Sequence, residues 1–503
     1  MADSAQGCLA VVLSQGQGCT HKQCLTRTFW PCYNTNDNRT VNSRAEALGS
    51  SAQIGIEVRS LGNCKIVIIG GGSYIWGPTL VSDFGLEPDL SGELWLMDIA
   101  QEPLDISSLA AERILREHES QLVIRKTTDI DEALTDADYV VLTITTGGLA
   151  AMKNDLEIPE KYGIYHSVGD TIGPGGLVRS LRNVPVIVDI CQRMEKLCPN
   201  AWMFNLTNPM ATMCRAATKY TAIKTIGLCH ELYYTLKDVS ELIGVSAGEI
   251  DVTHAGVNHF SWITRMDIGG KDGLSLLRNA VNELDSIPDS QGTEEQQHRK
   301  GRLKHNRAKL ALLDVYGALP AAGDRHLVEF FPNFLTDPED CSRRYAMRLD
   351  RIPDRLAWRE RSRQQVLNMI DGSDPVPKQR SPETLSTLTA ALANHRSAEE
   401  VIDIPNCGQI DNLPREAIVE TLGVVGPRIA AGKAMGSMPD GIQTMLQRQV
   451  MNQELTVTAA MSGDRKLALQ ALLNDPMTCR FEQAESLLDE LIQASSQFLP
   501  RFC

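Results

Sequence analysis

The stretch Lys65–Ser73, with the sequence KIVIIGGGS, decides the fold of this chain. Its residues 66–69 form a continuous β-branched apolar run, as expected of a strand buried on both faces of a parallel sheet. Gly70 and Gly72 follow directly, and a segment with a helical pattern comes next. Glycines at such a turn permit a positive φ and let the backbone approach a pyrophosphate, whose charge is stabilised by the helix N-terminus. The stretch therefore predicts the first βα unit of a dinucleotide-binding sheet.

The rest of the dinucleotide fingerprint is incomplete, because Ile75 stands where the third glycine is usual and Gly77 comes two residues later. The glycines alone would also fit an ordinary βα turn. Asp98 strengthens the prediction, since a carboxylate at the end of the second strand accepts hydrogen bonds from ribose hydroxyls and repels a 2′-phosphate. We therefore predict NAD rather than NADP. The predicted cofactor contacts are Gly70, Gly72, Ser73, Asp98 and Thr145.

Strand and helix patterns alternate through the first half of the chain. Further strands are predicted at residues 93–97, 122–124, 138–144, 202–205 and 224–229, with helices at 103–117 and 184–197. Such alternation predicts an α/β fold with a Rossmann-type doubly wound sheet. Beyond about residue 235 charged helical stretches dominate, at 275–285, 294–313, 443–461 and 465–473. They predict a second, mostly helical α+β domain, so that 63–235 would bind NAD and 236–503 would serve substrate binding, catalysis and oligomerisation.

Composition limits the classes of function. The net charge of -14 in 503 residues argues against nucleic-acid binding, and no apolar run is long enough for a bilayer. The odd number of 13 cysteines, scattered along the chain, fits reduced thiols and a cytoplasmic location. Residues 1–62 are polar and aperiodic, which predicts a disordered extension. The alternative, a Cys-rich metal or redox module, lacks a CxxC pair there.

Polar segments follow the predicted strands at the edge where such sheets bind ligands. They are residues 145–148 (TTGG), 205–209 (NLTNP) and 229–231 (CHE), joined by 169–176 (GDTIGPGG), 256–260 (GVNHF) and 323–326 (GDRH). With the later segments 404–410 and 455–465, these motifs resemble glycoside hydrolase family 4, the NAD- and manganese-dependent glycosidases. That family is related in fold to lactate and malate dehydrogenases, and the resemblance runs from Lys65 to about Thr478.

The resemblance implies that Cys229 and His259 hold a divalent metal, most readily Mn²⁺. The alternative is that the two residues are an ordinary buried cysteine and a core histidine. The resemblance also implies that NAD takes a hydride from C3 of the sugar, that a base removes the C2 proton, and that the aglycone leaves C1. The predicted base is Asp324, although a helix-capping aspartate is the other interpretation; Tyr316 aligns less well. His230 and Asp170 are the alternatives for the acid.

The remaining predictions concern the substrate. Asn208 is expected to contact sugar hydroxyls, and Asn258 to orient the metal histidine or the substrate; Arg325 and His326 complete the predicted set. A histidine after the metal cysteine implies an unphosphorylated sugar, so an α-glucosidase or α-galactosidase is expected first. An α-galacturonidase or α-glucuronidase comes next, because Arg325 could bind a uronate carboxylate unless it pairs with Glu329.

Two rival functions remain open at this point. One is a dehydrogenase of the lactate/malate type that acts on 2-hydroxy acids, and the other is an inactive NAD-binding regulator. A dehydrogenase of that type needs no metal, so removal of metal distinguishes it from a family 4 glycosidase. The resemblance further implies a homo-oligomer, a dimer or tetramer, that acts on a small sugar.

Overall fold

A computed structural model of the chain describes residues 61–478 and 480–502. The extension predicted for residues 1–62 lies, apart from its last two residues, outside the described part. The first half contains six parallel strands in the order β3-β2-β1-β4-β5-β6, the order of a dinucleotide-binding Rossmann sheet. These strands are β1 (Asn63–Ile69), β2 (Ser91–Met97), β3 (Gln121–Thr127), β4 (Tyr139–Leu142), β5 (Trp202–Asn205) and β6 (Lys224–Gly227).

Helices cover both faces of this sheet. Alternate residues of β1 point to opposite faces: Val67 and Ile69 join one core cluster, and Ile66 and Ile68 join another. Burial on both faces explains why the strand is a continuous apolar run. The helices are α1 (Trp76–Gly85), α2 (Gln101–Glu117), α3 (Ile130–Leu134), α4 (Gly148–Glu160), α5 (Gly173–Leu197), α6 (Met210–Tyr220) and α7 (Glu231–Ile243).

Helix α5 begins eleven residues before the predicted start at 184, so it includes the second half of the GDTIGPGG segment. Gly173, at φ +72°, allows the chain to turn into the helix, and Pro174 fits its first turn. A side chain at Gly176 would lie 2.6 Å from the carbonyl carbon of Thr171, so the turn before the helix requires glycine at this position. The loop that carries Asp170 is consequently short and held by the helix.

The second half is α+β and mostly helical, as predicted. Its helices are α8 (Gly273–Ser286), α9 (Glu294–Lys304), α10 (Arg307–Tyr316), α11 (Asp324–Phe330), α12 (Pro338–Tyr345), α13 (Ile352–Asp371), α14 (Leu385–Ala393), α15 (Asp440–Ser462), α16 (Arg465–Asn474) and α17 (Phe481–Ala494). The single helix predicted at 294–313 is two helices, α9 and α10. The sequence did not predict the strands β7 (Ile250–Val257), β8 (Phe260–Ile268), β9 (Lys271–Asp272), β10 (Leu319–Pro320), β11 (Ala398–Pro405), β12 (Ile418–Gly426) and β13 (Ile429–Gly432).

Both halves share one sheet. Strand β11 pairs antiparallel with β6 through Asp403 and Gly227, and the sheet continues through β12, β7 and β8. The predicted division after residue 235 falls within α7. Because β11, β12 and β7 lie beside β6, the segments that follow β6 and β7 meet at one place. Within the described residues, no helix has the length and apolar character that a membrane span requires.

Candidate active site

A cavity of about 560 Å³ opens beyond the carboxyl ends of β5 and β6, where Rossmann sheets bind ligands. It extends to Trp76 at the start of α1, next to the predicted nucleotide turn. Eight of the nine residues predicted for catalysis, substrate or metal line it, and Asn258 is the exception. The eight are Asp170, Asn208, Cys229, His230, His259, Asp324, Arg325 and His326.

The glycine turn lies between the ends of β1 and β2. Gly70 has φ +98°, and a Cβ there would lie 2.1 Å from the carbonyl oxygen of Thr143. The Gly72 N–H donates to Asp98 at 3.0 Å, and the other carboxylate oxygen accepts the Ala100 N–H. Ser73 Oγ accepts the Trp76 N–H at 3.1 Å, at the first turn of α1.

The rim of the turn continues after β4. Thr145 lies in the loop between β4 and α4, and its hydroxyl accepts a hydrogen bond from Arg179 of α5 at 2.9 Å. Arg179 also donates to the carbonyl of Asn208 at 2.9 Å. One guanidinium therefore links the loop after β4 to the loop after β5, and both lie at the same edge of the sheet as the glycine turn.

Asp170, His259 and His326 each place a potential ligand atom within 4.8 Å of the other two. The imidazole rings of the two histidines lie 3.9 Å apart between centroids. Burial alone would raise the pKa of Asp170, but the charges of His326 and Arg179 hold this pKa below its usual range. In the described part of the chain, these three side chains form a group of His, Cys, Asp or Glu residues close enough to bind one metal ion. Cys229 is not part of that group.

His259 occupies a strained position in the two-residue turn between β7 and β8. Its φ is +63°, in a region that non-glycine residues rarely adopt, and such strain is concentrated at functional sites. Burial lowers its pKa to about 4, so the ring is neutral at neutral pH. Nδ1 lies 2.9 Å from the Thr171 hydroxyl, which in turn donates to Asp170 at 2.8 Å.

This chain of contacts determines the tautomer of His259. An ionised Asp170 only accepts, so the Thr171 hydroxyl must give its proton to Asp170. The remaining lone pair of that hydroxyl then accepts Nδ1–H of His259. Nε2 consequently carries no proton and is free to bind a metal. Thr171 was not among the predicted site residues, although it lies in the GDTIGPGG segment.

Cys229 and His230 lie in the segment between β6 and α7. Burial, together with the charge of Glu420, raises the pKa of the Cys229 thiol well above its usual value. His230 Nδ1 is paired with Glu383, and this ion pair outweighs the effect of burial and raises the pKa of the imidazole. Glu231 accepts the N–H of Gly323 and thereby joins α7 to the segment that carries Asp324.

Asp324 is buried and caps α10. Its carboxylate accepts the N–H groups of Ala308 at 2.7 Å and Lys309 at 3.1 Å, in the first turn of that helix. Burial raises its pKa to about 6. The helix-capping interpretation of the sequence thus describes its contacts, although Asp324 also lines the cavity. The hydroxyl of Tyr316 lies 3.8 Å from the Met445 sulfur, and Tyr316 is not part of the cavity wall.

Arg325 donates to the carbonyl of Ser167 and does not pair with Glu329, so the pairing considered from the sequence is wrong. The Glu329 carboxylate instead accepts the N–H groups of residues 168 and 169, each at 2.8 Å. Arg348 and Arg355 also line the cavity; Arg355 pairs with Asp350. Neither Arg325 nor Arg348 forms an ion pair with any residue that the structure describes.

The two asparagines predicted to serve the site differ in position. Asn208 donates to Asp170 at 3.3 Å, and its own Oδ1 is buried without a partner in the described structure. Asn258 points away from the cavity and donates to Glu420 at 2.9 Å. Asn258 does not line this cavity, so a contact with the substrate, or an orienting role for His259, stays a prediction.

A buried pair of carboxyl groups, Asp403 and Glu420, lies beneath the site on β11 and β12. Both are less than 3% exposed. Burial and the charge of Glu420 raise the pKa of Asp403 well above its usual range, whereas the pKa of Glu420 is lowered by its contacts with His254, 3.2 Å away, and Ser261. Both carboxylate oxygens of Asp403 are buried without a hydrogen-bond partner in the described structure, an environment that favours its protonated form.

Comparison with known proteins gives matches along most of the chain. The profile of the family 4 glycosyl hydrolases matches residues 65–245, and the profile of their C-terminal domain matches residues 254–478. An alpha-galacturonidase of Bacillus subtilis (strain 168) is 33% identical over 453 residues, which are 88% of this chain and 99% of the relative. An alpha-galactosidase of the same organism is 31% identical over 445 residues, 87% of this chain and 99% of that relative.

Two solved structures extend the comparison to three dimensions. The structure of lplD from Bacillus subtilis has a TM-score of 0.77 and 33% identity, and covers 85% of this chain and 99% of its own. A 6-phospho-alpha-glucosidase from gut microorganisms, solved in complex with NAD and Mn²⁺, has a TM-score of 0.73, 21% identity and coverage of 87% and 99%. The second structure supports the fold alone.

Proposed function

Because this chain belongs to family 4 of the glycosyl hydrolases, it is a glycosidase, and we propose that it hydrolyses α-glycosides of a uronic acid, α-galacturonides foremost. The observation that carries the proposal is the pair of arginines, Arg325 and Arg348, that line the cavity without an anionic partner among the described residues. This order reverses the ranking made from the sequence, which put neutral α-glycosides first.

The arginines bear on the substrate through their charge. A guanidinium binds a carboxylate through paired charge-assisted hydrogen bonds. Burial lowers the pKa of Arg325, which remains a cation because this pKa begins so far above neutrality. The neutral C6 hydroxymethyl of a galactoside would form no charge-assisted hydrogen bond with either guanidinium. The alpha-galacturonidase relative supports the same choice, and the alpha-galactosidase relative keeps the neutral sugar as the second candidate.

We propose NAD as a cofactor, bound at the turn formed by Gly70, Gly72 and Ser73 with Asp98 and Thr145 around it. The fit is steric: a Cβ at Gly72 would lie 2.8 Å from the Asp98 carboxylate, so the absence of a side chain keeps the turn open beside the group expected to bind ribose. When bound, NAD supplies a hydride acceptor for C3 of the sugar.

The proposed metal ligands are Cys229 and His259, and Mn²⁺ is the proposed ion. The free Nε2 of His259 and a thiol in the same cavity wall are a donor set that suits Mn, Fe, Co or Ni. When bound, such an ion supplies a Lewis acid for the C2 and C3 oxygens of the sugar. Thr171 holds the imidazole in the tautomer that this binding requires.

Acid and base roles follow from what each side chain contacts. His230 protonates the glycosidic oxygen: Glu383 binds its Nδ1 and stabilises the imidazolium, and the side chain is 28% exposed in the cavity wall. Asp170 is not this acid, since its two carboxylate oxygens accept from Thr171 and Asn208. Asp324 accepts the C2 proton. A carboxylate with a pKa of about 6 is a suitable base at neutral pH.

The test is a panel of p-nitrophenyl α-galacturonide, α-glucuronide, α-galactoside and α-glucoside, assayed with NAD and Mn²⁺ and after omission of each. We expect the galacturonide to be hydrolysed best and only with both cofactors present. A substrate deuterated at C2 should exchange its label with water. Full retention of the label during hydrolysis would exclude elimination, and accumulation of NADH without release of sugar would indicate the dehydrogenase.

We also propose that the chain acts as a cytoplasmic dimer or tetramer. Leu356 and Trp358, on different faces of α13, are 50% and 42% exposed, so an interface that covers this helix would bury apolar surface. Sedimentation of the purified chain distinguishes an oligomer from a monomer.

A further inference from the structure

The wall of the cavity holds more potential metal ligands than the two predicted from the sequence. Asp170, His259 and His326 converge within 4.8 Å, yet only His259 has a role as a metal ligand in the proposed function. A first-row divalent ion forms bonds of roughly 2.1 Å, so two ligands on opposite sides of it are about 4.2 Å apart. The three ligand atoms are therefore close to the spacing of a single coordination shell.

His326 has no other explanation in the described structure. Its Nδ1 is buried and has no hydrogen-bond partner, and its ring lies against that of His259 at 3.9 Å between centroids. A buried polar nitrogen without a partner is unfavourable, and the contact with the His259 ring does not supply one. A cation between the two rings and Asp170 would give such a nitrogen the electron-pair acceptor that it lacks.

Asp170 retains the capacity to bind an ion. Thr171 and Asn208 each donate one hydrogen bond to it, and a carboxylate has about four lone-pair sites. Its charge, together with that of a Cys229 thiolate, would neutralise a divalent cation completely. Charge balance of this kind is required for a buried ionic cluster.

We propose that His326 and Asp170 join His259 as protein ligands of the divalent ion, so that the ion binds before any sugar does; Cys229, which lies outside the 4.8 Å group, is the ligand that the proposed function adds to them. This inference rests on the proposed function and deepens it. Two imidazoles, a carboxylate and a thiolate form a set that favours Mn, Fe, Co or Ni over Mg or Ca, whose preferred ligands are oxygen atoms. The sugar oxygens would then add to, or displace part of, an existing shell.

The experiment measures ion binding rather than activity. The full-length chain, freed of metal and without NAD or sugar, is titrated with MnCl₂, and free Mn²⁺ is followed by its electron paramagnetic resonance signal. We expect His326→Gln and Asp170→Asn each to raise the Kd for Mn²⁺ at least tenfold. The matched control is His305→Gln, which alters another histidine of the same cavity wall that is not in the cluster, and it should bind as the wild type does.

A second readout separates lost ligation from lost folding. With Co²⁺ in place of Mn²⁺, His326→Gln should change the d–d bands and keep the thiolate-to-cobalt charge-transfer band, which Cys229→Ser should remove. Wild-type binding with an unchanged Kd and unchanged d–d bands in both variants would overturn the ligand set and leave the proposed function intact. If the wild-type chain takes up neither ion, the metal-dependent function itself falls.

Discussion

Replacement of Arg325 tests the substrate assignment most directly. In Arg325→Gln the side chain remains polar but loses its charge, so a uronate loses one charge-assisted contact. Such a contact contributes about 1.5–3 kcal/mol. Since about 1.4 kcal/mol corresponds to a factor of ten, kcat/KM for the α-galacturonide should fall roughly 10- to 150-fold. For the neutral α-galactoside no ion pair exists to be lost, and the change should stay within roughly threefold.

The structural cost of the change is small enough to be separated from the loss of charge. Arg325 donates one hydrogen bond to the Ser167 carbonyl, while its own carbonyl accepts from the Ser167 hydroxyl and is retained in the variant. Loss of the first bond costs about 1 kcal/mol. Thermal unfolding of the variant measures this cost directly and shows whether the chain remains folded at the assay temperature.

The assay compares kcat/KM for p-nitrophenyl α-galacturonide and α-galactoside at saturating NAD and Mn²⁺. Arg351→Gln is the control, because Arg351 is paired with Glu160 outside the cavity wall. It should leave both values unchanged. Equal losses for the two substrates in Arg325→Gln, or no loss for either, would refute the role of this cation in substrate choice.

The other predictions concern the metal, the base and the buried carboxyl pair. Thr171→Val should weaken Mn²⁺ binding 10- to 100-fold, because without the hydroxyl the proton of His259 is no longer held on Nδ1. Thr171→Ser keeps the hydroxyl and should bind Mn²⁺ as the wild type does. Equal affinities of the Val and Ser variants would contradict this role of Thr171. Asp324→Asn should slow C2 deuterium exchange at least a hundredfold and cost only about 1–2 kcal/mol of unfolding free energy; rapid exchange would leave it a helix cap alone. Asp403, with its pKa raised by burial, keeps its proton when folded and loses it when unfolded. Stability should therefore fall by up to about 1.4 kcal/mol per pH unit above roughly pH 4, until the raised pKa is reached. Urea unfolding at pH 6 and pH 9 should show a smaller fall for Asp403→Asn, and parallel curves would argue against a raised pKa of Asp403. Chelation with EDTA should abolish hydrolysis and leave NAD binding intact, with Mn²⁺ restoring activity; full activity after chelation would exclude the metal.

The parallel half of the fold was predictable because its strands are buried on both faces. Residues 66–69 and 139–142 are unbroken apolar runs, and such runs are visible in the sequence without knowledge of tertiary contacts. The antiparallel strands were missed for the opposite reason. Strand β7 contains Thr253 and His254, and β11 and β12 contain the buried Asp403 and Glu420. Polar residues in a strand interior remove the alternation that a sequence can show, and only tertiary contacts satisfy them.

The site was predictable as a set of segments but not as a set of contacts. In a parallel sheet the carboxyl ends of the strands meet at one edge, so motifs after β5 and β6 had to converge. Contacts across long stretches of chain carry no local signal: Thr171 reaches His259 88 residues away, and Glu383, just before α14, reaches His230. The direction of Asn258 was likewise beyond the sequence, since it depends on a turn between two strands that were not predicted.

The continuity of the sheet bears on where the proposed cation site lies. Pairing of Asp403 with Gly227 joins β11 to β6, and pairing of Glu420 with Gly256 joins β12 to β7. The two strands that precede Cys229 and His259 are thus each registered against a strand that carries a buried carboxyl group. Buried carboxylates are unfavourable unless a cation or a proton compensates them. The charge of Glu420, on β12, acts on both Cys229 and His259. A divalent cation bound by these two residues would therefore gain electrostatic stabilisation from a strand that joins the two halves of the molecule.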